Sequence, residues 1–344
     1  MALLDVNDLR VRFETHHGTL RAVDGVSFTL DEGETLGLVG ESGSGKSVTN
    51  LGIMGLVPSP PGVVEAGHVL LEGRDLVQMS EEQLRGVRGN DVAMIFQDPM
   101  TSLNPLLTVE RQLTEVLELH RNMTRAEARR AAAKGLDEVG IPEPERRLDQ
   151  YPHELSGGMR QRVMIAMGLL CEPKLLLADE PTTALDVTIQ AQILELMKDL
   201  QERRGTAIVL VTHDLGVVAG MADRVHVMYA GRLVETGPIG PLFKEPRHPY
   251  TRGLLKSVPR LTGDPDRALD SIQGQPPDLA NLPAGCAFAP RCGFVTPSCE
   301  IDRPALIQAP DAGDTSNSRR SACFETKNLP PVATDDHAQQ GTTR

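Results

Sequence analysis

The chain has 344 residues, room for two or three domains of roughly 100–200 residues each, and 40% of them are hydrophobic, enough to fill a core. Forty-seven acidic residues against 35 basic give a formal charge of -12, which argues against general attraction to a phosphate backbone and makes nucleic acid an unexpected partner. No apolar run approaches the roughly 18–20 residues of a membrane span, and Met1-Ala2-Leu3-Leu4-Asp5 lacks the charged start and apolar core of a signal peptide, so a cytosolic chain is expected.

In chain order, residues 3–13 and 20–30 read as strands of an antiparallel layer, with Gly18 in the connection and Asp31-Glu32-Gly33-Glu34 as a turn. Phe13 closes the first strand, where its ring can either stack on a purine or pack as an ordinary core residue. Thr35-Leu36-Gly37-Leu38-Val39 reads as a buried strand running into Gly40-Glu41-Ser42-Gly43-Ser44-Gly45-Lys46-Ser47, and residues 48–56, from Val48 on, continue as a helix. Strand, glycine loop and helix together form a P-loop: successive backbone N–H groups turn inward around a polyphosphate, and the helix start adds partial positive charge. Lys46 would reach the β- and γ-phosphates, and the Ser47 hydroxyl would hold Mg²⁺. The plain alternative, a glycine-rich turn without a ligand, does not account for the strand before and the helix after.

Residues 67–73 read as a short strand into a turn, and residues 92–96 as a buried strand ending at Gln97. From about residue 100 to 162 helical spacing takes over, with Thr124 and Glu127 in capping-box positions. The α/β pattern resumes with strands at 174–180 and 207–212, helices at 188–203 and 215–222, and two short strands at 224–229 and 232–235. Parallel strands joined by helices imply a doubly wound sheet with its ligand at the strand carboxyl ends. Beyond Gly237 prolines become frequent and long-range periodicity fades, so an appendage that buries little surface is expected, with a disordered tail over 330–344.

Two further stretches carry phosphate chemistry. Asp179-Glu180 ends a buried strand, where Asp179 can hold Mg²⁺ opposite Ser47 and Glu180 can take a proton from the water that attacks the γ-phosphate. Leu155-Ser156-Gly157-Gly158-Met159-Arg160-Gln161-Arg162 opens a helix with a serine and paired glycines, a second anion site or simply an N-cap.

In order and spacing these motifs resemble the ATP-binding cassette (ABC) ATPases: P-loop, Gln97 as the Q-loop, residues 155–162 as the signature, Asp179-Glu180 as the Walker B end, Ala184-Leu185-Asp186 in the D-loop, and His213 as the switch. Phe96-Gln97-Asp98-Pro99-Met100-Thr101-Ser102-Leu103-Asn104-Pro105, Tyr151-Pro152-His153-Glu154 and His248-Pro249-Tyr250-Thr251 narrow the resemblance to the oligopeptide/dipeptide/nickel importer branch. It implies an α/β P-loop nucleotide-binding domain over 1–236, with a RecA-like parallel sheet, an antiparallel β-layer and a helical subdomain at about 100–162. A small irregular C-terminal domain would occupy 237–329. It further implies that Gln97 senses metal and membrane subunit, that Glu180 is the general base, that His213 contacts the γ-phosphate, and that Phe13 stacks on adenine. Ser156, Gly157, Gly158 and Asp186 would close on the nucleotide held by a second cassette. The implied protein is the ATP-hydrolysing subunit of a peptide importer, peripheral at the cytoplasmic face of the membrane, using ATP and Mg²⁺. Its implied partners are a paralogous ATPase subunit, two permease subunits and, indirectly, a solute-binding protein. A soluble ABC-type ATPase acting on DNA or the ribosome is the competing reading, opposed by the charge.

Four of the five cysteines, Cys286, Cys292, Cys299 and Cys323, fall close together with no histidine among them, so an all-thiolate site suits either an iron–sulfur cluster or structural zinc, unligated cysteines being the third reading. The resemblance points to a 4Fe–4S cluster. Cys171, before the Walker B strand, is expected to be a small buried apolar residue.

Overall fold

The computed structural model describes residues 2–16, 18–98, 102–183, 185–258, 272–309 and 319–330. Pro99-Met100-Thr101, Ala184 of the D-loop motif and the tail beyond 330 therefore lie outside the described residues.

Strands β1 (Leu4–Thr15) and β2 (Gly18–Leu30) pair antiparallel, Phe13 opposite Leu20, β1 also pairs with β4 (Gly62–Glu65) and β5 (His68–Leu71), and β5 pairs with the two-residue β6 (Arg74–Asp75). Alternation along β2 sends Val26, Phe28 and Leu30 inward and Ser27 and Thr29 out, as a half-buried sheet requires. Two elements here carried no recognised signal: β4, and the helix Glu81–Val87 with its Ser80/Gln83 capping box. Both are shorter than a window over which periodicity can be counted.

The second sheet is the frame of the molecule. β3 (Thr35–Val39), β7 (Val92–Ile95), β8 (Leu175–Asp179), β9 (Ala207–Thr212) and β10 (Arg224–Tyr229) run parallel in the order β10-β3-β9-β8-β7. β8 and β9 are buried at every residue, which is why they read as unbroken apolar runs rather than alternating ones. β11 (Arg232–Pro238) turns back antiparallel on β10, and two short strands, β12 (Ile307–Gln308) and β13 (Arg320–Ser321), extend that edge. The helical insertion forms Val109–Arg121, Arg125–Glu138, Pro144–Leu148 and Gly157–Leu169, with the Thr124/Glu127 capping box in place. Cys171 is buried, its thiol pushed above the usual range by burial.

The described residues after 237 form only short helices and strands, but they bury more than their sequence suggests. Tyr250, Leu242 and Phe288 join Val39, Val225, Val227 and Tyr229 in one core cluster, so this segment packs on the parallel sheet instead of forming a core of its own. The packing signal is aromatic rather than periodic: Tyr229, Tyr250 and Phe288 rings meet at 4.6 to 5.4 Å between centroids.

Candidate functional site

The parallel strands end in register, and that brings scattered motifs to one edge. Val39 pairs with Thr212, Val211 with Asp179, and Ala178 with Ile95, so the residues that follow β3, β9, β8 and β7 emerge side by side. These are the phosphate loop, His213, Glu180 and Gln97.

The loop between β3 and the helix Lys46–Ile53 is fitted to small residues. A Cβ at Gly40 would lie 2.2 Å from the Met228 carbonyl oxygen, and one at Gly45 would lie 2.2 Å from that of Ala22. Gly45 also caps the helix at a φ of 105°, in the left-handed region that a side chain resists. Ser42 and Gly43 are exposed at the loop's crest, while the buried Ser44 hydroxyl has no hydrogen-bond partner. Lys46 is buried, and its Nζ donates to the carbonyl oxygens of Gly40 and Glu41 at 2.8 and 2.9 Å. Burial lowers its pKa, while Glu180, Asp179 and Glu41 act in the other direction. A buried cation and an orphaned hydroxyl inside a ring of backbone is a donor set suited to phosphate.

Ser47 Oγ donates to Asp179 Oδ1 at 2.8 Å, which ties the P-loop to the end of β8. The two neighbouring acids are pushed apart. Asp179 is raised by burial, with Glu180's charge adding to it against the Ser47 hydrogen bond. Burial acts upward on Glu180 too, but hydrogen bonds from His213 and Thr183, with the charges of His213 and Lys46, hold it below the usual range. Its Oε1 meets His213 Nδ1 at 3.1 Å, and its Oε2 accepts from Gln97 Nε2 and Thr183 Oγ1, each at 2.9 Å. Glu180 itself sits at a φ of 45°. Thr183 escaped sequence reasoning, since a threonine three residues after an acid carries no signal of its own. The Ser47–Asp179 pair, with Gln97 bound to the neighbouring Glu180, presents the hydroxyl, carboxylate and amide oxygens that Mg²⁺ prefers.

Other expected site residues stand apart from this group. Phe13 is half-buried and packs against the main core beside Gly62. Val48, partly buried, packs on the same core. Ser156 Oγ accepts from Met159 N–H and caps the helix Gly157–Leu169, and Asp186 likewise caps Val187–Arg204 through Ile189 N–H. Gly157 is exposed, and a Cβ at Gly158 would touch Ile189 at 3.0 Å. Gln161 Nε2 donates to the Pro181 carbonyl, tying the signature helix to the loop after Glu180.

The four cysteines line one small cavity together with His248, Phe288, Phe294 and Phe324. Cys323 is brought there because β13 pairs with β11, Ser321 opposite Glu235. Burial raises the thiols of Cys286, Cys292 and Cys323, the last to about 11. Backbone N–H groups nearby act in the opposite sense on the same three sulfurs, including Phe294 N–H to Cys292 Sγ at 3.3 Å. Among the described residues no group of three or more His, Cys, Asp or Glu stands in a metal-holding arrangement.

Comparison with known proteins agrees with this geometry. The ABC transporter family matches residues 23–183, and the oligopeptide/dipeptide transporter C-terminal region matches residues 234–299. The oligopeptide transport ATP-binding protein OppD of Bacillus subtilis is 56% identical over 309 residues, covering 90% of this chain and 86% of that protein. The dipeptide transport ATP-binding protein DppD of Bacillus subtilis is 56% identical over 84% of this chain and 86% of its own. OppD of Haemophilus influenzae is 54% identical over 87% and 92%. Among solved structures, the dimeric post-hydrolysis state of the ATP-binding cassette MJ0796 bound to ADP and Pi overlays with a TM-score of 0.62 at 28% identity, covering 69% of this chain and 98% of that one. With P-loop, Walker B end and switch histidine gathered at one sheet edge, and with these relatives spanning both regions, the chain belongs to the ABC transporter ATPases that carry the oligopeptide/dipeptide transporter C-terminal region.

Proposed function

We propose that the chain supplies ATP hydrolysis to an importer of di- or oligopeptides and works at the cytoplasmic face of the membrane. The observation that carries this reading is the convergence of Lys46, Ser47, Gln97, Asp179, Glu180 and His213 at neighbouring strand ends, in a chain whose peptide-transport relatives match along nearly its full length. Residues 40–48 would cradle the phosphates, Phe13 would meet the adenine, and Ser47, Gln97 and Asp179 would hold Mg²⁺, whose charge offsets that of the phosphates. Glu180 takes the proton of the attacking water, with His213 beside it toward the γ-phosphate. Its Oε2 is engaged by Gln97, so the Q-loop amide must release that oxygen before the base can act. Release follows when the helical region after Gln97 moves, which couples hydrolysis to whatever docks there.

Ser156 and Asp186 spend their side chains on capping their own helices, and their hydrogen bonds among the described residues do not reach the phosphate loop. That leaves the signature, with Gly157 and Gly158, to serve a second cassette, here a paralogue. Two permease subunits complete the transporter and a solute-binding protein delivers its cargo; nucleic acid is not a partner. Among the described residues no helix is long and apolar enough to cross a membrane, consistent with recruitment by those permeases. The test is coexpression with the permease subunits: the chain should sediment with membranes only in their presence, and peptide-loaded binding protein should stimulate ATP hydrolysis. In that complex Ser156→Arg should leave ATP binding to this chain intact while abolishing the stimulation. Sedimentation with membranes lacking permeases, or stimulation unmoved by peptide, would reject the reading.

The four cysteines belong to a 4Fe–4S cluster in this proposal. Supporting it are their shared cavity and the N–H groups facing three of the sulfurs, a pattern that favours thiolate. Because burial raises the thiols of Cys286, Cys292 and Cys323, loading with iron must displace their protons, and uptake should strengthen as pH rises. Anaerobic protein is expected to carry about four irons per chain with a broad visible absorbance lost in air. One zinc per colourless chain would overturn the proposal.

A further inference from the structure

The side chain of Arg291 reaches from the cysteine cavity to the phosphate loop. The short turn Ala289–Arg291 is stitched to cysteines on both sides: Ala289 N–H donates to the Cys286 carbonyl at 3.0 Å, and Cys292 N–H donates to that of Ala289 at 3.2 Å. Arg291, the last residue of the turn, crosses to the phosphate loop and donates through both terminal nitrogens to Glu41, at 2.6 Å to Oε2 and 2.9 Å to Oε1. The arginine side chain is only 5% exposed and the glutamate 26%, so solvent screens this pair far less than a surface one. Its Nε donates to the Gln273 carbonyl at 3.0 Å, and its guanidinium stands 5.9 Å from the ring centroids of Tyr229 and Phe288. Glu41 is gripped at its backbone as well, where its N–H donates to the Tyr250 hydroxyl at 2.7 Å. Tyr250 in turn follows His248, whose N–H, with that of Arg247, donates to the buried Glu235 carboxylate.

These contacts have a consequence for an anionic ligand. Glu41 is the one acid in a loop that wraps polyphosphate, and an unpaired carboxylate there repels the nucleotide. The bidentate arginine cancels that charge and fixes the loop's shape. We infer that Arg291 is a positioning residue for nucleotide binding, and that the integrity of the cysteine cavity sets ATP affinity through it. The inference rests on the nucleotide-site reading above, and it is independent of which metal the cysteines hold.

The experiment uses the full chain, with equilibrium binding of a fluorescent ATP analogue alongside steady-state hydrolysis. Arg291→Met is expected to weaken binding about tenfold, the size of one lost charge-assisted contact, raising KM while kcat stays near the wild-type value. Adding Glu41→Gln should restore affinity toward wild type, because it removes the charge left unpaired. Cys292→Ser should show the same weakening and the same relief by Glu41→Gln, with Cys286→Ser as the parallel variant if the first does not fold. A merely structural role would reduce the folded fraction without this rescue. Wild-type affinity in Arg291→Met, weakening that Glu41→Gln does not relieve, or wild-type affinity in the folded cysteine variants would each overturn the inference. Failure of the nucleotide-site reading looks different: the wild-type chain would bind no better than Lys46→Ala.

Discussion

Glu180→Gln is expected to lower kcat by about 10²- to 10⁴-fold, the usual contribution of a positioned general base, while ATP still binds. The amide keeps the shape of the carboxylate and can still accept from Thr183, whose hydroxyl lies 2.9 Å away, so the local frame survives. What disappears is proton affinity at Oε1 and Oε2, the atoms that His213 and Gln97 now hold. The nucleotide-bound state should therefore accumulate, and trapping of labelled ATP by the assembled complex would measure it. The sign of the pH effect follows from the depressed pKa of Glu180. Its carboxylate stays ionised below the ordinary glutamate range, so protonation of this base should not limit the wild-type rate until the pH falls beneath that range. Turnover near the wild-type rate in the Gln variant would remove Glu180 from this role.

Lys46→Ala is expected to act on binding instead, weakening ATP affinity by about 100-fold, as loss of a buried charge-assisted partner implies. Lys46 is 4% exposed, and its Nζ is held by Gly40 and Glu41 carbonyl oxygens, so the ammonium is already placed inside the loop. Removing it also withdraws the positive charge that lies opposite Asp179 and Glu180, and that should raise both carboxyl pKa values. Equilibrium binding to the isolated chain checks this directly. Equal affinity in wild type and variant would mean that phosphate is held elsewhere.

Reading along the chain located β3, β9 and β10 at the residues where they are found, and β8 to within a residue, because strands buried on both faces leave unbroken apolar runs that glycine and polar turns punctuate. It also placed Lys46, Ser47, Asp179, Glu180 and His213 as one site, although 167 positions separate the first from the last. Local chemistry sufficed for the first four, since a phosphate loop must follow a strand and acids that serve it must end one; His213 came from the resemblance to the ABC ATPases. The helix Glu81–Val87 and the strand Gly62–Glu65 went unread, being too short to develop a period. The C-terminal region was underestimated for a different reason, since its burial comes from single aromatics such as Tyr250 and Phe288 docking on strands distant in sequence.

By itself, then, the sequence determined the parallel sheet and the strand, glycine loop and helix over 35–53, and it marked Asp179, Glu180 and His213 at strand ends, each set by the chain within a few residues of it. Only the tertiary structure decided what those residues touch. Strand register put Gln97 and Thr183 on the same oxygen of Glu180, and pairing of β13 with β11 carried Cys323 to the other three cysteines. The same folding brought Arg291 onto Glu41 across 250 positions of sequence. Such contacts leave no periodic or composition signal, because a salt bridge between distant segments is fixed by how sheets and turns stack in space and not by the residues on either side of it.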